Sequence, residues 1–205
     1  MHSFRHAETI LERPDFRPDF LELVDAIRSI SDENLIESFE SHSNPAKSIS
    51  RDINGLLKNR LTMGGWAFES AIFQDPEYQD EKRWRLDFAK RKISVEVAFN
   101  HGEAIAWNLL KPVLASELNH VKKAIQTEVG VIITATEGLK RSGNFDNAVG
   151  EYEKFIRYLI PLQDVLTVPL LIIGLRAPES FHIVNERIAG RSVGSIVIHQ
   201  DRGNR

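Results

Sequence analysis

The 205-residue sequence contains no cysteine. Disulfides and thiolate metal centres are therefore excluded, and oxygen atoms or histidine nitrogens are the only metal donors left. No apolar run approaches the roughly 18 residues of a membrane-spanning helix, and the start, Met1-His-Ser-Phe-Arg-His6, lacks the apolar core of a secretion signal. A cytoplasmic protein without membrane association is the expectation. No Pro/Gly/Ser-rich linker, internal repeat or low-complexity stretch interrupts the chain, so residues 1–205 are read as one domain. There is also no phosphate-binding glycine-rich loop, no Gly-x-Gly-x-x-Gly, no zinc spacing among the seven histidines and no Gly-x-Ser-x-Gly.

What is present is an ordinary globular composition, 42% hydrophobic and 27% charged. The net charge of -3 conceals a local excess of positive charge, because Lys82, Arg83, Arg85, Lys90, Arg91 and Lys92 crowd around Asp87. Such a cluster suits a polyanionic substrate; a solvated basic turn is the other reading. Alternation places Trp84, Leu86 and Phe88 on one strand face, and Ile93, Val95, Val97 and Phe99 on one face of the next. Asp87 and Glu96 then point the other way. If the two strands are antiparallel neighbours, their carboxylates meet on one side of a sheet.

Like charges so placed repel unless a cation lies between them, and a hard divalent ion such as Mg²⁺ is the simplest compensation, aided by the backbone carbonyl of Val97. Such an ion acidifies a bound water and neutralises charge on a phosphodiester. Glu69, in the segment Trp66 to Phe73, is a candidate third acid. The competing reading is a hairpin whose acids, Glu69 included, are simply solvated. In sites of the form Asp…Glu-x-Lys, a polar side chain two residues after the Glu orients the attacking water. Ala98 has none to offer, so the water is held by Glu96, Glu69, substrate phosphate or a second metal, or hydrolysis is impaired. Asn100 and His101 follow directly, as candidates to touch DNA or to assist; His101 as a general base ranks behind His101 as a contact or structural residue.

Around this stretch, helical spacing runs through Phe20, Leu21, Val24, Ile27 and Ile30, restarts at Ser31-Asp32 with Leu35, Ile36 and Phe39, and resumes from Ile49 to Leu61 before stopping at Gly64-Gly65. Glu103 to Leu110 and Val113 to Ile125 read as two helices, with Pro112 in the first turn of the second. Their apolar face would cover the sheet or pair with a second copy of the chain. Val129 to Thr134 and Pro169 to Leu175 are β-branched apolar runs, hence buried strands, separated by a helix around Tyr152 to Ile160. Strand, helix, strand implies a parallel crossover. A polar loop Arg187 to Arg191, a last strand Ser195 to His199 and a disordered tail from Gln200 complete an α/β fold, a mixed central sheet flanked by helices.

These segments resemble a known family. Arg85-Leu-Asp-Phe88, Val95-Glu-Val-Ala-Phe99, Arg5-His-Ala-Glu-Thr-Ile-Leu11, Val129 to Thr134 and Ile172-Ile-Gly-Leu175, in that arrangement along most of the chain, are similar to the BglII/BstYI group of type II restriction endonucleases. The resemblance implies a PD-(D/E)XK nuclease core, a homodimer joined largely through helices, and Mg²⁺-dependent cutting of double-stranded DNA at a palindrome containing GATC. It makes Asp87 the metal-binding aspartate, Glu96 the catalytic glutamate and Val97 the carbonyl donor. Ala98 stands where this group has a glutamine. Asn100 and His101 fall where the family contacts bases; Ser142, Asn144 and Asp146 fall in a second recognition loop, and Arg187 to Arg191 in a third region, with Arg191 as its contact. Lys90, Arg91 and Lys92 would position phosphates. A DNA-binding protein of this fold that no longer cuts is the alternative, motivated by Ala98.

Overall fold

The computed structural model describes residues 1–44, 46–79, 81–117, 121–188 and 191–199, the side chains of Ile188, Arg191 and Ser192 excepted. The expected disorder of the tail from Gln200 falls outside them. Strand β1 (His2–Phe4) and four helices come first: α1 (Ala7–Leu11), α2 (Arg17–Arg28), α3 (Asp32–Glu40) and α4 (Ser50–Met63). The Ser31 hydroxyl accepts the Asn34 N–H at the start of α3, and the Asn34 side chain accepts the Ser31 N–H in return. That reciprocal cap is the stop-and-restart visible in the sequence. Helix α4 ends as its glycines require: Gly65, at φ +80, turns the chain so that the Trp66 N–H reaches the Leu61 carbonyl at 3.0 Å.

The sheet is built from β2 (Ala67–Ala71), then, after the short α5 (Pro76–Gln79), from β3 (Arg85–Lys90), β4 (Ile93–Ala98), β5 (Val129–Ala135) and β6 (Leu170–Leu175). Its order is β1-β6-β5-β4-β3-β2. Strands β4, β5 and β6 run parallel, and the other pairings are antiparallel. This is the mixed sheet flanked by helices that the pattern predicts. Every residue of β5 is buried, the reason its sequence carries no charged side chain. On one face Val129, Val131, Ile133, Leu171 and Ile173 meet the first four helices through Leu11, Leu23, Phe39 and Leu57. On the other, Ile132, Leu170, Ile172 and Ala98 meet α6 (Ile105–Ser116) and α8 (Tyr152–Leu159); α7 (Glu137–Ser142) follows β5.

Several expectations are corrected. Leu21 is exposed and Leu23 takes its place in the α2 stripe. Pro112 does not begin a second helix but lies inside α6. The missing N–H of Pro112 is tolerated there because its ring packs where Gly130 of β5 has no side chain. Nor does helix continue to Ile125: the chain turns extended at Glu117, and residues 122–124 instead exchange backbone hydrogen bonds with Ile72 and Gln74. The apolar face of α6 is spent on the sheet, which removes it as the surface for a second copy. Residues 187 and 191 are not in a polar loop. They belong to β7 (Phe181–Ile188) and β8 (Arg191–Ile198), a separate two-stranded sheet. Phe181 and Ile183 point inward, but the polar run Asn185 to Arg187 disguises the strand.

At Gly130 α6 packs so close to the sheet that a Cβ there would lie 2.5 Å from Pro112 Cβ and 2.7 Å from Leu170 Cδ2. Overpacking of this kind costs about 1–3 kcal/mol, or roughly 2–10 °C in Tm for a chain of this size. Thermal denaturation of Gly130→Ala followed by circular dichroism should show that loss; an unchanged Tm would mean that α6 slides off β5 freely.

Candidate active site

The ladder between β3 and β4 pairs Lys90 with Ile93, Ala89 with Ser94 and Phe88 with Val95, then stops one step short of Asp87 and Glu96. Side chains take over where the backbone bonds cease. The Asp87 N–H donates to Glu96 Oε1 at 3.3 Å, and the Val97 N–H donates to Asp87 Oδ2 at 2.7 Å. On the opposite edge of β3 the ladder to β2 also skips the step at Asp87, across from Glu69, whose φ is +48. The strict alternation expected through Trp84, Leu86 and Phe88 breaks here: Phe88 packs with the first four helices, while Leu86 packs with Ile72, Phe73 and Ala115. The two acids are thus brought together, but by a distortion of the strand rather than by regular pleating.

A third charge completes the site and was not anticipated. Lys111, from the middle of α6, forms an ion pair with Glu96 Oε2 and donates to the Arg85 carbonyl at 3.1 Å. Glu96 is 1% exposed and Lys111 7%. The signal for it was in the sequence: between Glu103 and Glu117, Lys111 is the single charged residue in an apolar helix, and a lysine carried inward needs a partner. Burial, reinforced by the charge of Asp87, pushes the Glu96 carboxyl up to about 8, against the opposing pull of Lys111 and of the Asp87 N–H. Burial also raises Asp87, with Lys111 and the Val97 N–H working against it and Glu69 adding to it. Glu69 therefore lies beside Asp87, with Arg85 Nη1 3.7 Å from its carboxylate.

A divalent ion fits this donor set. The oxygens are hard, and two carboxyl groups meet a single ammonium in a buried place, so a bound cation would let both ionise. Among the described residues no three His, Cys, Asp or Glu side chains gather as a metal-binding group. An ion here would have two carboxyl groups to bind and would complete its shell from other oxygens, as hard divalent ions do. Asp87 and Val97 open onto a cavity of about 290 Å³ that α4 lines with Asn54, Gly55 and Lys58. The Lys58 ammonium stands 3.7 Å from the centre of the Phe68 ring. Neither Lys58 nor Asn54 carried a sequence signal.

The candidate DNA contacts divide between two ends of β4. At its carboxyl end, Asn100 to Gly102 zip onto Ala148 to Gly150: the Gly150 N–H donates to the Asn100 carbonyl and the Gly102 N–H to the Ala148 carbonyl. This brings the segment with Ser142, Asn144 and Asp146 beside the exposed His101. Their polar atoms are engaged within the chain: Asn100 accepts from the buried Asn108 of α6 at 3.1 Å, Ser142 donates to the Gly138 carbonyl, and Asp146 caps the Ala148 N–H. Asn144 pairs its amide reciprocally with Asn185 of β7. At the other end, the basic turn is answered by acids. Lys90 binds Glu22 and the Gly64 carbonyl, Arg91 approaches Asp19, and Lys92 reaches Asp15 and Glu128. The structure gives these three side chains a bracing task away from the carboxyl end of β4. Arg191 begins β8, but its side chain is outside the described residues.

Residues 1–175 match the family model of restriction endonuclease BglII/BglIII. Among solved structures, the fold is similar to restriction endonuclease BglII complexed with a DNA 16-mer, with a TM-score of 0.63, 18% identity, and 97% of this chain and 98% of that one covered. Free BglII is similar with a TM-score of 0.54 and 17% identity, covering 97% of each chain. Comparison with curated proteins finds no match.

The raised carboxyl of Glu96 makes stability depend on pH. Between its ordinary value of 4.5 and about 8 the folded chain holds a proton that the unfolded chain has released, so stability falls as pH rises through that window. Glu96→Gln mimics the protonated form and removes the dependence. Thermal melts should show the variant and the wild type together near pH 5 and the variant ahead by about 1–3 kcal/mol near pH 8.5; parallel pH profiles would show that Glu96 is not held this way.

Proposed function

The chain belongs to the BglII/BglIII restriction endonuclease family, and from that premise we propose that it cuts double-stranded DNA at a palindrome containing GATC, using Mg²⁺ held by Asp87 and Glu96. Membership makes it a site-specific deoxyribonuclease, a hydrolase. The observation that carries the finer reading is the mutual lock of Asp87 and Glu96, each carboxylate held by a backbone N–H of the neighbouring strand. That lock ties the two acids to each other across the strands, which supports reading them as a pair that would hold a cation beside a scissile phosphate.

Mg²⁺ at Asp87, Glu96 and the Val97 carbonyl would acidify water and screen the phosphate charge. The chain's own residues do the rest. Glu69, next to Asp87, is placed to accept a hydrogen bond from the attacking water. Lys58 and Asn54, across the cavity from Asp87, suit a neighbouring phosphate of the same strand. Asn100, His101, Ser142, Asn144 and Asp146, gathered at one end of β4, are assigned to base edges; for Asn144 this requires opening its amide pair with Asn185. Phosphate contact by Lys90, Arg91 and Lys92 would require giving up their acidic partners, and Lys58 is the better-placed cation. Arg191 keeps its place as a third contact.

A palindromic target calls for a two-fold assembly, each copy presenting one site to one strand, so the working form is a homodimer. Residues 1–205 act as one domain in the cytoplasm; no described helix is long and apolar enough to cross a membrane. The solved BglII relative holds a DNA 16-mer, which supports duplex DNA as the partner. The absence of a polar side chain at position 98 favours a second reading, a duplex-binding protein that does not hydrolyse.

Incubation of plasmid with the protein and MgCl₂ decides between them. Discrete fragments with ends inside a GATC-containing palindrome are expected, whereas a gel shift with intact supercoiled plasmid would establish the second reading. Asp87→Ala should abolish cutting, and Mg²⁺ should raise the Tm of the wild type but not of this variant. Wild-type cutting by Asp87→Ala would remove Asp87 from the ion.

A further inference from the structure

Position 98 faces α6 and is filled: Ala98 is 2% exposed and packs with Ile105, Leu109 and Ile132. No side chain of the strand can stand beside Glu96 there, yet the same face does carry a cation at Glu96, delivered from outside the strand by α6. Resting on the nuclease reading above, we propose that Lys111 does here what the side chain two residues after the glutamate does in an Asp…Glu-x-Lys site. It sets an N–H donor beside Glu96 to hold the attacking water.

The placement is well determined. Lys111 precedes Pro112, whose ring lies against the backbone of Gly130, where α6 packs close to the sheet. One turn earlier, Asn108 of the same helix holds Asn100 just after β4. Helix α6 is thus fastened to the sheet on both sides of Lys111, and the ammonium is delivered to one spot. Glu96 and the Arg85 carbonyl engage two of its three donors. The third is the one assigned to the water.

The charges favour this over a purely structural pair. A lysine and a glutamate buried for stability alone would cancel, and buried pairs stabilise weakly once desolvation is counted. Here a second carboxyl group stands beside the pair, since Asp87 is tied to Glu96 through its own N–H on Glu96 Oε1. A divalent ion and the scissile phosphate together bring the assembly to neutrality. In the step itself the water oxygen bonds to phosphorus and one P–O ester bond breaks. The departing oxygen keeps the bonding pair and takes a proton from solvent, to which the water's proton is lost. Lys111 remains protonated throughout and acts by position.

The test uses the full chain and a linear duplex carrying the site mapped on the plasmid. Three quantities are read for the wild type and Lys111→Met: Tm, duplex binding in CaCl₂, and the single-turnover cleavage rate in MgCl₂. Removal of a donor at the reacting centre costs on the order of 10²–10³ in rate. The expected result is that loss in a variant that remains folded at the assay temperature, with duplex binding unchanged. Should Lys111→Met fail to fold, Lys111→Leu, which likewise has no N–H donor, is read in the same way. A rate within threefold of wild type overturns the proposal. So does a loss that appears in folding or duplex binding for both variants, which makes Lys111 a structural partner of Glu96. Wild-type chain that cuts nothing is a different failure, that of the nuclease reading itself.

Discussion

Two carboxylates share a desolvated space where β3 and β4 should still be hydrogen-bonded, and much of the molecule serves to make that tolerable. Two buried like charges are costly unless donors and cations surround them. The chain supplies two backbone N–H groups, from Asp87 and Val97, and one ammonium, from Lys111. They are insufficient to restore Glu96 to an ordinary carboxyl. A bound cation would make up that shortfall.

The framework follows from where each element buries its apolar side. Parallel strands β4, β5 and β6 are covered on both faces, so they are rigid and their ends are fixed relative to one another. Asp87 and Glu96 lie where β3 meets the parallel core, one step beyond the point at which the antiparallel ladder ends. Helix α6 lies across the far face and reaches the site because Gly130 lets it come close. Substituents that touch no catalytic atom, such as a methyl group at Gly130, therefore act on the position of Lys111. Coupling of this kind is carried by packing, which tolerates little displacement.

The fold class was legible in advance because period-two and period-3.6 patterns were strong where burial is strong. The Ser31 cap and the Gly64-Gly65 stop were legible because those residues do local chemistry that needs no tertiary partner. Pro112 misled, since the rule that proline starts helices is local and the tolerance of Pro112 within α6 comes from β5. The run from Val121 to Ile125 misled for a related reason: its spacing is helical, but backbone partners at Ile72 and Gln74 were available to an extended chain. The acids Asp19 and Glu22 of α2, which pair with Lys90 and Arg91, lie outside any view confined to the hairpin.

Sequence alone determined that Asp87 and Glu96 belong to adjoining strands, that oxygen rather than sulfur must serve any metal, and that Ala98 leaves a gap. Those follow from residue type and spacing, which are properties of neighbours along the chain. Tertiary structure decided what stands in that gap. Lys111 is fifteen residues from Glu96 and on a different kind of element, and only the packing of helix on sheet puts an ammonium against that carboxylate. Spacing along a strand encodes which side chains share a face; it does not encode which helix will be laid over them.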